Sequence, residues 1–316
     1  MLTLAMLAAP FLIYFKAQAI TDWWQLHNYT PPANVAQLAQ QDTMTAYATH
    51  VFYVNHPDLE SNATQFRSDC NETEQTIILG CYHGNQDGIF VYAVSDPRLS
   101  GVEQVTAAHE MLHAGYDRLS TKARNSVDNM LQDYYNKDLH DQRIIDTINA
   151  YKQTEPNDVV NEMHSVFGTE IANLPAPLEN YYSRYFTNRQ AVANFAGAYE
   201  NEFSTRQDQI KADDAQLAQQ KAAINQEEQS LGGQLAQVNR DRATLDSLRS
   251  SGQTSEYNSG VASFNSEVNG YNSGVEKLKS DIASYNQLVE QRNDIAKELA
   301  SLSQALDTRL TPQATQ

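Results

Sequence analysis

Apolar side chains are spaced in three different ways along this chain of 316 residues, and each spacing predicts a different kind of structure. Up to residue 95 they form short runs bounded by polar clusters, which is typical of strands and short helices. Between residues 100 and 190 they recur every three or four positions, the period of a helix that buries one face. From residue 203 they recur at every seventh position, which is the pattern of a coiled coil.

The sevenfold pattern has two arms. One series runs through residues 203–245 and a second through residues 257–285, and turn residues (Ser250–Gly252) lie between them. We therefore predict an antiparallel coiled-coil hairpin at residues 196–310, followed by a disordered tail at 311–316. The first arm is polar at its second seam position, so we expect the contact between the arms to be thin.

Residues 21–195 predict an α+β domain with a small β-sheet followed by several helices. The expected elements are a helix around Val35–Thr45, strands at His50–Asn55, Thr76–Tyr82 and Gly88–Val94, and helices near 122–136, 141–152, 157–172 and 177–187. The second and third strands are separated by the turn cluster HGNQD, which predicts a hairpin. Prolines separate the later helices.

The N-terminus begins with an apolar run at residues 2–15, which ends at Lys16. The run is shorter than a full span of about 20 residues, but a lysine at a helix end can reach the interface, and two tryptophans follow as aromatic anchors. We therefore predict a single-pass membrane anchor at residues 1–20, with the rest of the chain outside the cytoplasm. Two alternatives stay open. Ala17–Ala19 resembles a signal-peptide cleavage site, which would give a secreted protein, and the run could also be a buried helix of a soluble domain.

The cysteines and the net charge limit the function further. Cys70 and Cys81 are the only two cysteines, and an oxidising compartment would join them in a disulfide that contributes about 2–3 kcal/mol. The alternative is a pair of reduced, buried thiols. The formal net charge is −17, and so acidic a surface argues against nucleic acid as a partner.

Candidate chemistry is concentrated in residues 109–113, which read His-Glu-Met-Leu-His. Two histidines four positions apart lie on one face of an α-helix, so both rings can bind one metal ion. Glu110 lies between them, where a carboxylate can hold and deprotonate a water molecule at the metal. Ser100 and Glu103 predict a capping box at the start of this helix. The alternative is that the two histidines only pack on a charged helix.

A catalytic zinc ion needs a third protein ligand, and the candidates follow about fifty residues later: Glu162, Glu170 and His164. Through the segments HEMLH and NEMHS, residues 100–172 resemble the gluzincin metallopeptidases. These are thermolysin-like enzymes in which a glutamate on a later helix completes the H-E-x-x-H site. The resemblance implies a zincin-like domain, with Zn²⁺ as the cofactor. It also implies the roles of four residues: metal ligands His109, His113 and Glu162, and general base Glu110.

One position departs from the family pattern. Val166 stands where many of these enzymes have an aspartate that orients the glutamate ligand, so Ser165, Thr169 or Glu170 would have to orient it here. The family also uses a tyrosine or histidine to stabilise the transition state. The candidates for this role are Tyr181, Tyr182, Tyr185 and His164, which could instead form part of the core. In the family an edge strand aligns the substrate, and Ile89–Val94 has that place here.

The sequence thus predicts zinc-dependent peptide-bond hydrolysis by an extracytoplasmic, membrane-anchored metallopeptidase in which Glu110 activates water. The expected partners are a peptide or protein substrate, the membrane, and a protein partner or second copy bound through the coiled coil. Two other functions remain open: a non-enzymatic coiled-coil scaffold with a vestigial metal site, and a zinc amidase that acts on cell-wall peptides.

Overall fold

A computed structural model of the chain describes residues 18–70 and 79–309. The chain divides into two compact units. The first comprises residues 1–203 together with residues 301–316, and the second comprises residues 204–300. The second unit is shorter at both ends than the predicted hairpin at 196–310.

The described part of the first unit is mostly helical and has one small sheet. Its helices are α1 at residues 18–26, α2 Ala33–Gln41, α3 Ala46–Tyr53, α4 Ala63–Asp69, α5 Val102–Asp117, α6 Thr121–Lys137, α7 Gln142–Thr154, α8 Val159–Glu170, α9 Ala176–Tyr182 and the start of α10 Arg189–Ser250. Its strands are β1 Asp58–Glu60, β2 Gly80–His83 and β3 Gly88–Tyr92. The prediction of a small sheet followed by helices is confirmed, and the helices expected near α2 and α6–α9 are present. Most of the predicted strand at 76–82 lies outside the described residues.

The sheet has the strand order β1-β3-β2, so β3 is the central strand. β3 runs parallel to β1 and antiparallel to β2. Ile89 and Val91 of β3 are buried in the main core together with residues of α3 and α5. Phe90 and Tyr92, on the other face, pack on a smaller cluster around Phe66 of α4. Successive side chains of β3 point to opposite faces of the sheet, so this strand packs against two separate apolar clusters.

A disulfide joins Cys70 and Cys81, as predicted. Cys70 ends α4 and Cys81 lies in β2, so the bond ties this helix to the edge of the sheet. Both cysteines are buried against Phe66.

The strand predicted at His50–Asn55 is wrong, because these residues lie in α3 and just after it. Thr45 caps the helix, since its side chain accepts a hydrogen bond from the backbone amide of Ala48. Ala48, Val51 and Phe52 are completely buried, and their spacing of three and four residues is that of a helix. The cap and the buried helical face therefore override the β-branched and aromatic composition of the segment.

The predicted capping box at the start of α5 is also wrong. The N-cap residue is Gly101, which has a φ of 107° and makes no side-chain cap. The Glu103 carboxylate accepts a hydrogen bond from the Val94 backbone amide at 3.0 Å, not from the helix end. Glycine is needed at position 101 because a Cβ there would also lie 3.0 Å from the Phe195 backbone oxygen. Tertiary contacts, and not a local cap, fix where the helix begins.

α5 is the central helix of the first unit. It is mostly buried, and it packs on α2, α3, β2 and β3 and most extensively on α8. Gly168 of α8 allows this close approach, because a Cβ there would lie 2.5 Å from the Leu112 side chain. This packing brings His109 and His113 on α5 close to Glu162 on α8, which are the predicted metal ligands.

The second unit is a helical hairpin, as predicted. It contains the rest of α10 and most of α11, Thr254–Leu306, and Gly252 in the turn between them has a φ of 71°. Asp214 of α10 pairs with Arg292 of α11 at 2.9 Å, far from the turn. Nearer the turn, a Cβ on Gly260 would lie 2.8 Å from Leu245, so the two helices run antiparallel.

The contact between the two arms is thin, which agrees with the polar seam. Leu231 and Leu288 are 7% and 8% exposed, whereas Ile282, at a predicted seam position, is 37% exposed. A narrow apolar seam of this kind leaves much of both helices in contact with solvent.

Residues 301–309 follow the hairpin but belong to the first unit. Leu302 is completely buried and packs with Leu99 and Val102, next to the start of α5. Arg67 of α4 donates a hydrogen bond to the Thr308 carbonyl at 2.5 Å. Truncating the chain after residue 203 would therefore remove part of the first unit's own core.

The predicted single-pass membrane anchor needs correction. No helix within the described residues is both long enough and apolar enough to cross a membrane. Residues 1–17, which contain most of the predicted anchor, lie outside the described residues. Residues 18–20, the last part of the predicted anchor, are the first residues of α1. In this helix the buried Asp22 accepts hydrogen bonds from Arg118 at 2.8 and 2.9 Å. The predictions of a transmembrane helix and of a cell-membrane location are therefore withdrawn.

Asp42, at the C-terminal end of α2, is a completely buried acid. Neither of its carboxylate oxygens has a hydrogen-bond partner among the described residues. Burial disfavours the charged form and raises the pKa of Asp42 well above its ordinary value of 3.8. Because the pKa is higher in the folded than in the unfolded chain, this acid destabilises the fold increasingly as the pH rises above 3.8.

We expect the free energy of unfolding of Asp42→Asn to increase relative to that of the parent, by about 1–3 kcal/mol, as the pH rises from about 4 to about 8. The reason is that asparagine stays neutral over this range, whereas the parent's buried acid becomes charged. Urea unfolding at the two pH values measures this difference. Asp133→Asn changes an acid whose side chain is 70% exposed and serves as the control, which should follow the parent. The same change in unfolding free energy with pH in the parent and in Asp42→Asn would contradict the expectation.

Candidate metal centre

Two helices bring the predicted metal ligands together. α5 presents His109 and His113 on one face, and their ring centroids are 4.7 Å apart. α8 places Glu162 against both rings, with its Oε2 at 3.5 Å from the His109 Nε2 and its Oε1 at 3.4 Å from the His113 Nε2. One donor atom from each of the three side chains lies within 4.8 Å of the others.

These three side chains could hold a metal ion. Ligand atoms that lie about 2.0–2.1 Å from zinc at tetrahedral angles are about 3.3–3.4 Å from each other, which is close to the two nitrogen–oxygen distances, although each of these runs to a different oxygen of Glu162. The Glu162 Oε2 is buried and has no hydrogen-bond partner among the described residues, although it faces the His109 ring. A buried carboxylate oxygen without a donor is costly, and a cation at this position would satisfy it.

The electrostatics of the cluster also favour a cation. Burial raises the pKa of Glu162, but the charge of His113 and the contacts with His109 outweigh it and lower this pKa below its usual value. Burial lowers the pKa of His109, but the contact with the Glu162 carboxylate and the nearby acidic charges outweigh it and raise this pKa to about 9. The centre therefore stabilises positive charge beside an ionised Glu162.

The three side chains border a cleft of about 560 Å³, which is lined by β2, α5, α7 and both ends of α8. Glu110 also lines the cleft and is only 7% exposed. Its Oε1 faces the backbone of Gly80 in β2, where an added Cβ would lie 2.8 Å away. The predicted general base thus lies between the metal ligands and an edge of the sheet.

The structure separates the three candidates for the third ligand. Glu162 is the one that joins the two histidines. Glu170 lines the same cleft, but its carboxylate accepts a hydrogen bond from Arg143 at 2.6 Å. His164 is completely buried on another side of α8, and burial lowers its pKa well below the ordinary value. Its Nε2 is 2.9 Å from the Tyr181 hydroxyl.

The tyrosines predicted as transition-state donors belong to the core. Tyr182 and Tyr185 are completely buried, and the Tyr182 hydroxyl donates to the His164 carbonyl oxygen at 2.7 Å. The Tyr181 and Tyr185 hydroxyls are 3.2 Å apart. None of the three lines the described cleft. This aromatic cluster therefore packs α9 against α8 and does not reach the centre.

The sequence reasoning missed Tyr151 of α7. This tyrosine lines the cleft, and its hydroxyl makes a hydrogen bond with the Glu162 carboxylate that contributes to the lowered pKa of Glu162. Of the candidates proposed for that orienting role, Thr169 and Glu170 make other contacts, and Ser165 makes none with its hydroxyl among the described residues. Thr169 donates to the Ser165 carbonyl oxygen at 2.8 Å.

The strand predicted to align a substrate is not at the edge of the sheet. β3, which contains most of Ile89–Val94, is hydrogen-bonded on both sides and cannot accept another strand. β1 and β2 are the edge strands of the described sheet, and residues 79–82, which include the start of β2, line the cleft beside Glu110. Among the described residues, the sheet edge at the centre therefore belongs to β2.

No protein-family model, curated protein or solved structure matches this chain. The case for its chemistry therefore comes from its own residues and their geometry.

Proposed function

We propose that this protein is a zinc metallopeptidase with a zincin-like catalytic unit. The observation that supports this best is the meeting of the His109, His113 and Glu162 donor atoms at the spacing of zinc ligands, beside Glu110 in a cleft. A zinc ion held by these three side chains would polarise a peptide carbonyl group and make water a stronger nucleophile.

The residues around the centre would then share the work of amide hydrolysis. The Glu110 carboxylate accepts the proton of the attacking water and returns it to the leaving nitrogen. Tyr151 keeps the Glu162 carboxylate in position through its hydrogen bond. The outer edge of β2, which pairs with no other described strand, binds the substrate backbone as an added strand, with the scissile bond beside Glu110.

Zinc content and peptide cleavage, measured on the full chain, test the proposal. We expect one zinc ion per chain and cleavage of an unstructured protein such as casein. Glu162→Gln should lower zinc affinity by at least about tenfold. Glu170→Gln is the matched control, since Glu170 lines the same cleft but pairs with Arg143, and this variant should keep its zinc.

Equal zinc loss in both variants would contradict Glu162 as the third ligand. Bound zinc without any peptide cleavage would favour one of the alternative functions, a scaffold or an amidase with another substrate.

A further inference from the structure

The cleft beside the candidate metal centre is strongly acidic. Its acidic residues are Glu110, Asp117, Glu155, Asp158, Glu162 and Glu170, and no lysine or arginine of the described residues lines it. Two of the acids belong to the proposed catalytic site, and Arg143 and Arg124 lie against two others. Glu155 and Asp158 lie together at the junction of α7 and α8, next to the start of the helix that carries Glu162.

Glu155 and Asp158 form one group with the metal ligand. Carboxylate oxygens of Glu155, Asp158 and Glu162 all lie within 4.8 Å of one another. Asp158 occupies the N-cap position of α8, but its side chain makes no hydrogen bond to the helix end. It accepts a hydrogen bond from the Asn161 Nδ2 at 3.1 Å and lines the cleft. Aspartate at an N-cap position usually accepts a hydrogen bond from the helix end, whereas the Asp158 carboxylate faces the cleft and Asn161 instead.

Asn161 is an independent indication of a ligand. It is only 8% exposed and lines the cleft, and its Oδ1 has no hydrogen-bond partner among the described residues. The Nδ2 of the same amide donates a hydrogen bond to Asp158 at 3.1 Å, so the Asn161 side chain lies beside the acidic group. Buried acceptors are nearly always paired, so an unpaired one in a cleft points to a ligand that brings a donor.

We propose that Glu155, Asp158 and Asn161 bind a primary ammonium group of the substrate. An ammonium carries a positive charge and three N–H donors, and the group offers two carboxylates and one amide oxygen as acceptors. The preferred substrates are then peptides with a free α-amino group or a lysine side chain close to the scissile bond. This inference rests on the proposed peptidase function.

A second divalent cation fits the group less well. Calcium takes about 6–8 oxygen ligands, whereas this group offers few and shares Glu162 with the metal centre. Asp158 is also exposed to solvent, as expected for the wall of a substrate site that is filled only on binding.

Cleavage of matched peptides by the zinc-loaded full chain tests the inference. One pair compares a free with an acetylated amino terminus, and a second pair compares lysine with norleucine at each position near the scissile bond. We expect kcat/KM to be at least about tenfold higher for the ammonium-bearing member of one pair, which identifies the source of the ammonium. Asp158→Asn should remove this preference, mainly through KM, while the neutral peptide and the zinc content are unaffected. Asp133→Asn, on the exposed face of α6, should behave as the parent.

The outcomes separate this inference from the proposed function. Equal cleavage of ammonium-bearing and neutral peptides overturns the inference and leaves the peptidase standing. No cleavage of any peptide by the zinc-loaded chain removes the peptidase and this inference with it. Calcium-dependent activity that is lost in Asp158→Asn assigns the group to a metal ion and also overturns the inference. Where Asp158→Asn does not fold, Glu155→Gln gives the same comparison.

Discussion

Replacing Glu110 by glutamine is expected to lower kcat for peptide hydrolysis by about 10²–10⁴-fold without loss of zinc. The Glu110 carboxylate lines the cleft beside the proposed ligands, and its negative charge contributes to the raised pKa of His109. Glutamine keeps nearly the same size but cannot accept a proton from water at neutral pH. The loss should therefore appear in kcat, while the affinity for zinc changes little.

Zinc content and steady-state kinetics on the same samples check this result. Glu256→Gln makes the same chemical change on an exposed residue in the first turn of α11 and should leave kcat unchanged. His113→Ala removes a proposed ligand and should lose zinc and activity together. Activity close to the parent level in zinc-loaded Glu110→Gln would exclude this carboxylate as the general base.

The parts of the site that come from one helix could be predicted from the sequence. His109 and His113 share a face of α5 because the helical period places residues four apart one above the other. Glu162 lies on another helix, and the local pattern left Glu170 and His164 open as rivals. Only the packing of α5 on α8 shows which of the three meets the two histidines.

Tyr151 illustrates a contact that the sequence could not reveal. It is one of 17 tyrosines, and nothing in its local pattern sets it apart. Its role depends on how α7 packs on α8, which brings its hydroxyl to Glu162. The more conspicuous tyrosine cluster of α9 was the natural candidate, but it packs around His164 instead.

The fold shows the same division between local and tertiary information. The heptad spacing predicts the hairpin, because a seam between two helices repeats along the whole length of each arm. The sequence predictions that are wrong concern elements whose structure depends on tertiary contacts. α3 is helical because one face is buried, the start of α5 is set by the fit of Gly101 against Phe195, and β3 becomes central because β1 pairs with it. β1 has three residues, too few to give a pattern.

Gly80→Ala is expected to lower kcat by about 100-fold while zinc remains bound. Gly80 begins β2 at the point where the strand crosses α5. An added Cβ would collide with the methyl group of Thr106 and would lie 2.8 Å from the Glu110 Oε1. Contacts this short must be relieved by a shift of the strand or of the Glu110 side chain, and either shift moves the base relative to a substrate bound along β2. The nearest atoms to the new Cβ belong to Thr106 and Glu110 and not to His109 or His113, so the metal ligands should keep their places.

Gly84→Ala is the matched control for this prediction. Gly84 lines the same cleft, but among the described residues a Cβ there would meet only the Asp117 carboxylate, at an ordinary 3.9 Å. We expect this variant to keep nearly the parent kcat. Thr106→Ser removes the methyl group that the new Cβ would meet, so the double variant Gly80→Ala/Thr106→Ser should recover part of the activity. If Gly80→Ala and Gly84→Ala are equally active, the close approach of β2 to Glu110 does not position the base. If Gly80→Ala loses zinc as well as activity, the strand supports the ligands themselves, and Glu110 is not the only group that depends on this contact.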